Sequence, residues 1–271
     1  MELQSRLADF DRANTRVFAI SYDPVPVLAR FAEQQGITYE LLSDVGSVAI
    51  TRLGLLNEHI VAMQAASGRP AQAHHTGVPY PGVFVLDEHG VVMDKRFEQT
   101  HQPRPAPALL LEELMPQEEL TVAASARAQG TGVQAVAWVG AATYRAMQRL
   151  HLHVTLQIAP ELHIYGTPAP EGFTPLQITA EPLEGLMLEP ADLPDPQPFR
   201  VAGVDEPCVV HEGTVSTTLP LQMASNLGEI ELEVVVRYQA CSATVCYPPE
   251  TLNMTLTLQG LDNLRPEPQG T

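Results

Sequence analysis

Cys241 and Cys246 are the residues best placed to do chemistry. They sit in YQACSATVCYPPET, between an alternating stretch that ends at Tyr238 and another that starts near Thr251. Two strands joined by a short turn can bring such a pair within the roughly 4.4–6.8 Å Cα separation a disulfide needs. The loop it would close is small, so a bond there constrains the unfolded chain little, which favours redox use over stapling. A pair of reduced structural cysteines, or a surface disulfide with no turnover, fits the same spacing. Counting along the strand from Tyr238, which falls on the apolar side, turns Cys241 outward, which leans toward Cys241 as the attacking thiolate without deciding between the two. Tyr247-Pro248-Pro249 could equally expose Cys246. The third cysteine, Cys208 in DEPCVV, has no partner at useful spacing and reads as a small buried hydrophobe.

Other candidates are weaker. His74 and His75 in RPAQAHHTGVP, and His151, His153 and His163, could chelate a metal, but no cysteine or carboxylate cluster accompanies them in sequence, and a solvated loop and a polar strand face account for them. Asp23, Asp44, Asp87 and Asp94 read as turn and cap residues. There is no Gly-rich phosphate loop, GxSxG elbow or HExxH helix. No metal and no cofactor is expected.

These residues must be held by folded elements, and 271 residues with 45% hydrophobic content are enough for two domains with real cores. The 32 acidic residues outnumber the 15 basic ones, and a net charge of −17 excludes a nucleic-acid partner. The charge is uneven: residues 151–271 carry 16 acidic and 3 basic side chains, or −13, which leaves 16 and 12, or −4, for residues 1–150. The longest mostly apolar stretch, Val133 to Ala142, is too short for a membrane span. MELQSRLADFDRAN lacks the basic and apolar regions of a secretory signal, which points to the cytoplasm.

The hydrophobic period changes along the chain. Residues 1–103 alternate helices and strands: helical spacing at Leu3, Leu7 and Phe10, a strand over RVFAIS, a helix from Pro24 to Gly36 with Asp23 as its cap, and two strands flanking Glu88-His89-Gly90. Residues 104–147, proline-rich and then alanine-rich, read as a connector with helical segments. From residue 148 to 262 the period is two. Leu150, Leu152, Val154, Leu156 and Ile158 share one face, and so do Ile230, Leu232, Val234, Val236 and Tyr238, then Leu252, Met254, Leu256 and Leu258. Such strands between Pro and Gly clusters predict an all-β antiparallel sandwich, with residues 263–271 as a tail.

Two resemblances extend this reading. YQACSATVCYPPET after an alternating strand, together with ELHIYG and the proline-rich loop behind it, resembles the N-terminal domain of the disulfide reductase DsbD over roughly residues 150–260. The resemblance implies an immunoglobulin-like fold, cycling of Cys241 and Cys246 between dithiol and disulfide, supporting roles for Tyr238 and Tyr247, a thioredoxin-like or other thiol protein as partner, and a periplasmic setting in place of the cytoplasm. VFAISYDPVPVLARFAEQQGITYELLSD followed by GVPYPGVFVLDEHGVV resembles the peroxiredoxin branch (AhpC/TSA type) of the thioredoxin superfamily over about residues 1–100. It implies an α/β thioredoxin-like fold with Pro81 where the family places a cis-proline. The family's catalytic cysteine would precede the helix beginning at Glu2, and no cysteine occurs before Cys208, so no cysteine-peroxidase activity is expected of this half. It reads as a redoxin domain truncated before its first central strand, or else as a degenerate remnant that leaves the sandwich as a protein-binding module.

Overall fold

The computed structural model of the chain describes residues 2–66, 68, 76–97, 104–116, 119–120, 122–200 and 208–262. It divides into two units, Met1–Met115 and Pro116–Thr271. Among the described residues no helix is long and apolar enough to cross a membrane.

The first unit is α/β: α1 (Glu2–Ser5), α2 (Leu7–Arg12), β1 (Phe18–Ser21), α3 (Val25–Gln35), β2 (Glu40–Ser43), α4 (Val48–Arg52), α5 (Ile60–Ala66), β3 (Gly82–Leu86), β4 (Val92–Phe97), β5 (Arg104–Pro105) and α6 (Pro107–Leu114). Prolines in its first turn start α3, and Gly36 ends it in the left-handed conformation, at φ 62°. The N-cap of that helix is Pro24 and not the expected Asp23, whose carboxylate instead accepts a hydrogen bond from the Ser21 hydroxyl. Asp44 accepts from the backbone N–H groups of Ala49 and Ile50 at the start of α4, and these bonds hold its carboxyl below the usual range. Asp87 takes the N–H groups of His89 and Val91 and closes the β3–β4 hairpin.

β1 pairs in parallel with β2, and β3 pairs antiparallel with β4, as separate two-stranded sheets. Among the described residues, then, each strand has an edge without a ladder partner. Phe18, Ile20 and Leu42 are 40% or more exposed. The Tyr80–Pro81 bond is trans, contrary to the cis expectation for Pro81; the cis bond among the described residues is Thr167–Pro168. Trans is the favoured state of an X-Pro bond when nothing holds it otherwise.

The second unit holds β6 (Ala124–Gly130), β7 (Val133–Val139), β8 (Thr143–Arg145), β9 (Gln148–Ile158), β10 (His163–Tyr165), β11 (Gln177–Ala180), β12 (Leu186–Leu188), β13 (Gln197–Phe199), β14 (Cys208–His211), β15 (Thr214–Met223), β16 (Glu229–Tyr238), β17 (Ala240–Cys241) and β18 (Glu250–Leu261). Their sheet orders are β12-β15-β9-β7-β6, β11-β16-β18-β8 and β13-β14-β10-β17. This is the all-β, immunoglobulin-like sandwich. The period-two faces of β9, β16 and β18 are all buried in its core. The helical expectation for residues 124–145 is wrong. Alanine favours helices, yet Ala124, Ala126 and Ala128 alternate with polar residues, and Val133, Ala135, Ala137 and Val139 line the buried face of β7. Period and burial override propensity.

A polar clasp ties the start of β18 to the β6–β7 turn. The Glu250 carboxylate accepts from the Thr131 N–H at 2.7 Å, the Thr131 hydroxyl at 2.6 Å and the Tyr238 hydroxyl at 2.6 Å. A Cβ at Gly130 would collide with the Tyr238 hydroxyl and the Glu250 carboxylate and would have to push these clasp groups aside. The Thr131 and Tyr238 hydroxyls hold the Glu250 carboxyl below its ordinary range, while burial and this hydrogen bond push the Tyr238 phenol up.

A depressed carboxyl contributes stability that is present above its unfolded pKa, about 4.3, and lost as pH falls through its folded value. Glu250→Ala is therefore expected to lower the sandwich's unfolding free energy by about 1–2 kcal/mol at neutral pH. The deficit should shrink below pH 4, with Trp138 fluorescence as the readout for this unit. In hydrogen exchange, amides of β1 and β3 should exchange before those of β16, which is paired on both edges; equal protection would contradict this.

Candidate functional site

At Tyr238 the chain leaves one sheet. β16 pairs with β11 and β18, but two residues later β17 pairs with β10 in another sheet. Tyr238, Gln239, Ala240 and Cys241 are consecutively buried as a result. The parity count from Tyr238 fails here. Cys241 is fully buried, whereas Cys246 is exposed, the reverse of the outward Cys241 expected. The expected pairing itself is present: a disulfide joins Cys241 and Cys246, with Cα atoms 4.0 Å apart across an isolated antiparallel bridge.

The loop between them is built from its own polar groups. Ser242 N–H donates to the Val245 carbonyl at 2.7 Å, and the Ser242 hydroxyl accepts from the Val245 N–H at 3.0 Å. Tyr247 N–H donates to the Ala240 carbonyl at 2.9 Å. The buried Gln239 amide bridges outward. Its Nε2 donates to the Tyr247 carbonyl and its Oε1 accepts from the Thr174 N–H, both at 3.0 Å, so the cysteine hairpin is tied to the 170–176 loop.

β10 supplies the surroundings. Its register places His163 opposite Cys241 and Tyr165 opposite Val210. Tyr165 is fully buried, with its hydroxyl 3.9 Å from Cys246 Sγ and its ring packed on Phe173. Burial, with the nearby Cys208, pushes its phenol up, so Tyr165 stays protonated and can act as a donor. His163 is 4% exposed and packs on Phe199 at 4.2 Å between ring centroids. An open recess of about 720 Å3 beside the hairpin is lined by Leu162, His163, Phe199, Glu212, Ser242 and Thr244 among others.

Tyr238 sits one residue before the change of sheet with its hydroxyl held by Glu250, and Tyr247 is 37% exposed beyond Cys246. Pro81 is in the first unit and the cysteines are in the second. Cys208 is a free, buried thiol that donates to the Phe199 carbonyl at 3.0 Å. It shares a core cluster with Cys241, but β10 separates their strands. Two strand spacings, about 9.5 Å, exceed the roughly 7 Å limit for a disulfide.

Of the histidines, His153 is buried, not solvated: it stacks on Trp138 at 3.9 Å and lies 3.2 Å from the Thr218 hydroxyl. His163 is in a different sheet from His151 and His153, and His74 and His75 lie outside the described residues. Sequence reasoning missed His163, Tyr165 and Gln239 as neighbours of the disulfide. The alternation of His163 and Tyr165 within ELHIYG put both on one strand face, but nothing in the sequence says which strand pairs with them.

Residues 133–258 match the family model of the N-terminal domain of the thiol:disulfide interchange protein DsbD. Residues 1–95 match the AhpC/TSA family. Both resemblances read from the sequence are met, and they support a thiol–disulfide redox-related role. Among solved structures, the N-terminal periplasmic domain of ScsB from Proteus mirabilis is 19% identical, with 49% of this chain and 51% of that one covered and a TM-score of 0.36. The match thus spans about half the length of the ScsB structure. The reduced Neisseria meningitidis DsbD N-terminal domain is 17% identical, over 55% of this chain and 93% of that one, at a TM-score of 0.30. The same organism's DsbD domain in complex with the PilB N-terminal domain is 16% identical, over 53% and 88%, at 0.27. No curated protein matches. The ScsB domain is described as periplasmic, and nothing in these matches supports the cytoplasmic expectation.

Peptide mapping without reduction should recover Cys241 linked to Cys246 and Cys208 free. Under native conditions Cys208 should resist alkylation, and rapid labelling there would contradict its place in the core.

Proposed function

We propose that the sandwich is a thiol–disulfide exchange module that passes an electron pair between the Cys241–Cys246 disulfide and a thioredoxin-like or other thiol protein. The observation carrying this reading is the unequal exposure of the two cysteines: residue Cys246 is exposed and Cys241 is fully buried. In this scheme the partner thiolate attacks Cys246 Sγ. Its attack breaks the Cys241–Cys246 bond, forms a mixed disulfide at Cys246 and leaves the electron pair on Cys241 as a thiolate, which takes up a proton. A second partner thiolate then attacks its own sulfur in the mixed disulfide and releases Cys246 as a thiolate, which is protonated in turn. Two electrons and two protons arrive, and the partner leaves oxidised. In the reverse direction Cys246 attacks and Cys241 resolves. No cofactor enters this scheme.

The redoxin half has no cysteine in this sequence, so the exchange is assigned to the sandwich alone. We place the protein in an oxidising, periplasm-like compartment, where a disulfide persists; the DsbD family match supports that reading.

The test uses the full chain. After mild reduction two thiols should appear beside Cys208, and Cys246 should alkylate at least tenfold faster than Cys241. Cys241→Ser should trap a mixed disulfide with an oxidised thioredoxin on a non-reducing gel, and Cys246→Ser should not. A thiol count that mild reduction leaves unchanged would sink the exchange reading.

A further inference from the structure

His163 is buried directly beside the disulfide, and the exchange scheme leaves it without a role. The β10–β17 register sets it opposite Cys241. Residues paired in this way across antiparallel strands project to the same face, with Cβ atoms about 4.5–5.5 Å apart. His163 is 4% exposed and Cys241 0%. The His163 Nε2 atom is enclosed and has no hydrogen-bond partner. Its ring neighbours are Phe199 at 4.2 Å and Tyr165 at 5.7 Å between centroids, which offer aromatic faces and edges in place of water. An enclosed polar atom left unpaired costs free energy that a partner would restore.

We propose that the missing partner is the Cys241 thiol: once the disulfide opens, its S–H donates to the His163 imidazole, which favours the dithiol over the disulfide. The proposal rests on the exchange chemistry above and adds a positioning residue to it. In the disulfide, Cys241 Sγ has no proton to give. When two external thiols reduce the bond, the S–S bond breaks, the external thiols leave as their own disulfide, and the two protons and two electrons remain on Cys241 and Cys246. Cys241 then carries a donor beside a buried acceptor. Burial lowers the affinity of His163 for a proton, which Glu212 only partly opposes, so the ring is neutral and one nitrogen is free to accept. The oxidised form therefore carries the unpaired atom, and the reduced form does not.

The full chain is equilibrated at pH 7 in glutathione buffers of graded ratio, quenched by alkylation and weighed. His163→Leu should shift the equilibrium toward the disulfide by about five- to tenfold, the worth of one buried hydrogen bond. His163→Gln keeps an acceptor and should recover most of that shift. The oxidised His163→Leu protein should unfold no earlier than wild type, because an apolar side chain replaces an enclosed unpaired polar atom; His163→Phe, which keeps an aromatic ring against Phe199 and Tyr165, provides the same comparison if the leucine variant does not fold. An equilibrium within about twofold of wild type in the folded variant, with the pair still cycling, overturns the role of His163 and leaves the exchange reading standing. A wild-type disulfide that no glutathione ratio reduces overturns the exchange reading itself.

Discussion

Backbone groups that leave one sheet inside a core must be paired again at once, and the change of sheet at Gln239 imposes that demand on the cysteine hairpin. β17 meets it by pairing with β10, and the Gln239 side chain meets it by spanning from Tyr247 to the 170–176 loop. The placement of both sulfurs follows. Pairing with β10 goes with the burial of Cys241, and beyond the turn closed by Ser242 residue Cys246 is exposed. On the return path Glu250 is fixed by Thr131 and Tyr238, so the excursion from residue 239 to 249 starts and ends at anchored points.

The large sheets were legible because their strands carry a single period against one buried face. β16 and β18 follow the alternation from Ile230 and Leu252 onward, and β9 departs from it at the buried His153. β6 and β7 carry the same alternation but write it in alanine, whose weak hydrophobic contrast and helical preference obscured the pattern. The site was legible only in part. Five residues of spacing made a Cys241–Cys246 disulfide geometrically possible, because a hairpin constraint is local, but fitted a reduced pair as well; the resemblance to the DsbD domain is what pointed to a cycling bond. The burial of Cys241 was not legible, since parity holds only while a strand stays in one sheet. Tyr165 and His163 lie some 80 residues before Cys246, and strand β10, only three residues long, has no periodicity of its own to announce its partners.

The first unit shows how far a local reading carries. The αL exit at Gly36 and the Asp87 turn are properties of a few adjacent residues, and both are present. What holds β1–β2 and β3–β4 is a matter of long-range pairing, and the described residues supply each strand with a single neighbour.

Cys208 gives the sandwich an odd thiol, which in most redox proteins would invite wrong pairings. Here it is shielded not by chemistry but by position: β10 stands between its strand and that of Cys241, and its S–H is occupied by the Phe199 carbonyl. Reshuffling among the three sulfurs therefore requires that the β13-β14-β10-β17 sheet first come apart. The fidelity of the Cys241–Cys246 pairing is thus a kinetic property of that sheet, set by how rarely it opens, and the third cysteine acts as a built-in reporter of each opening.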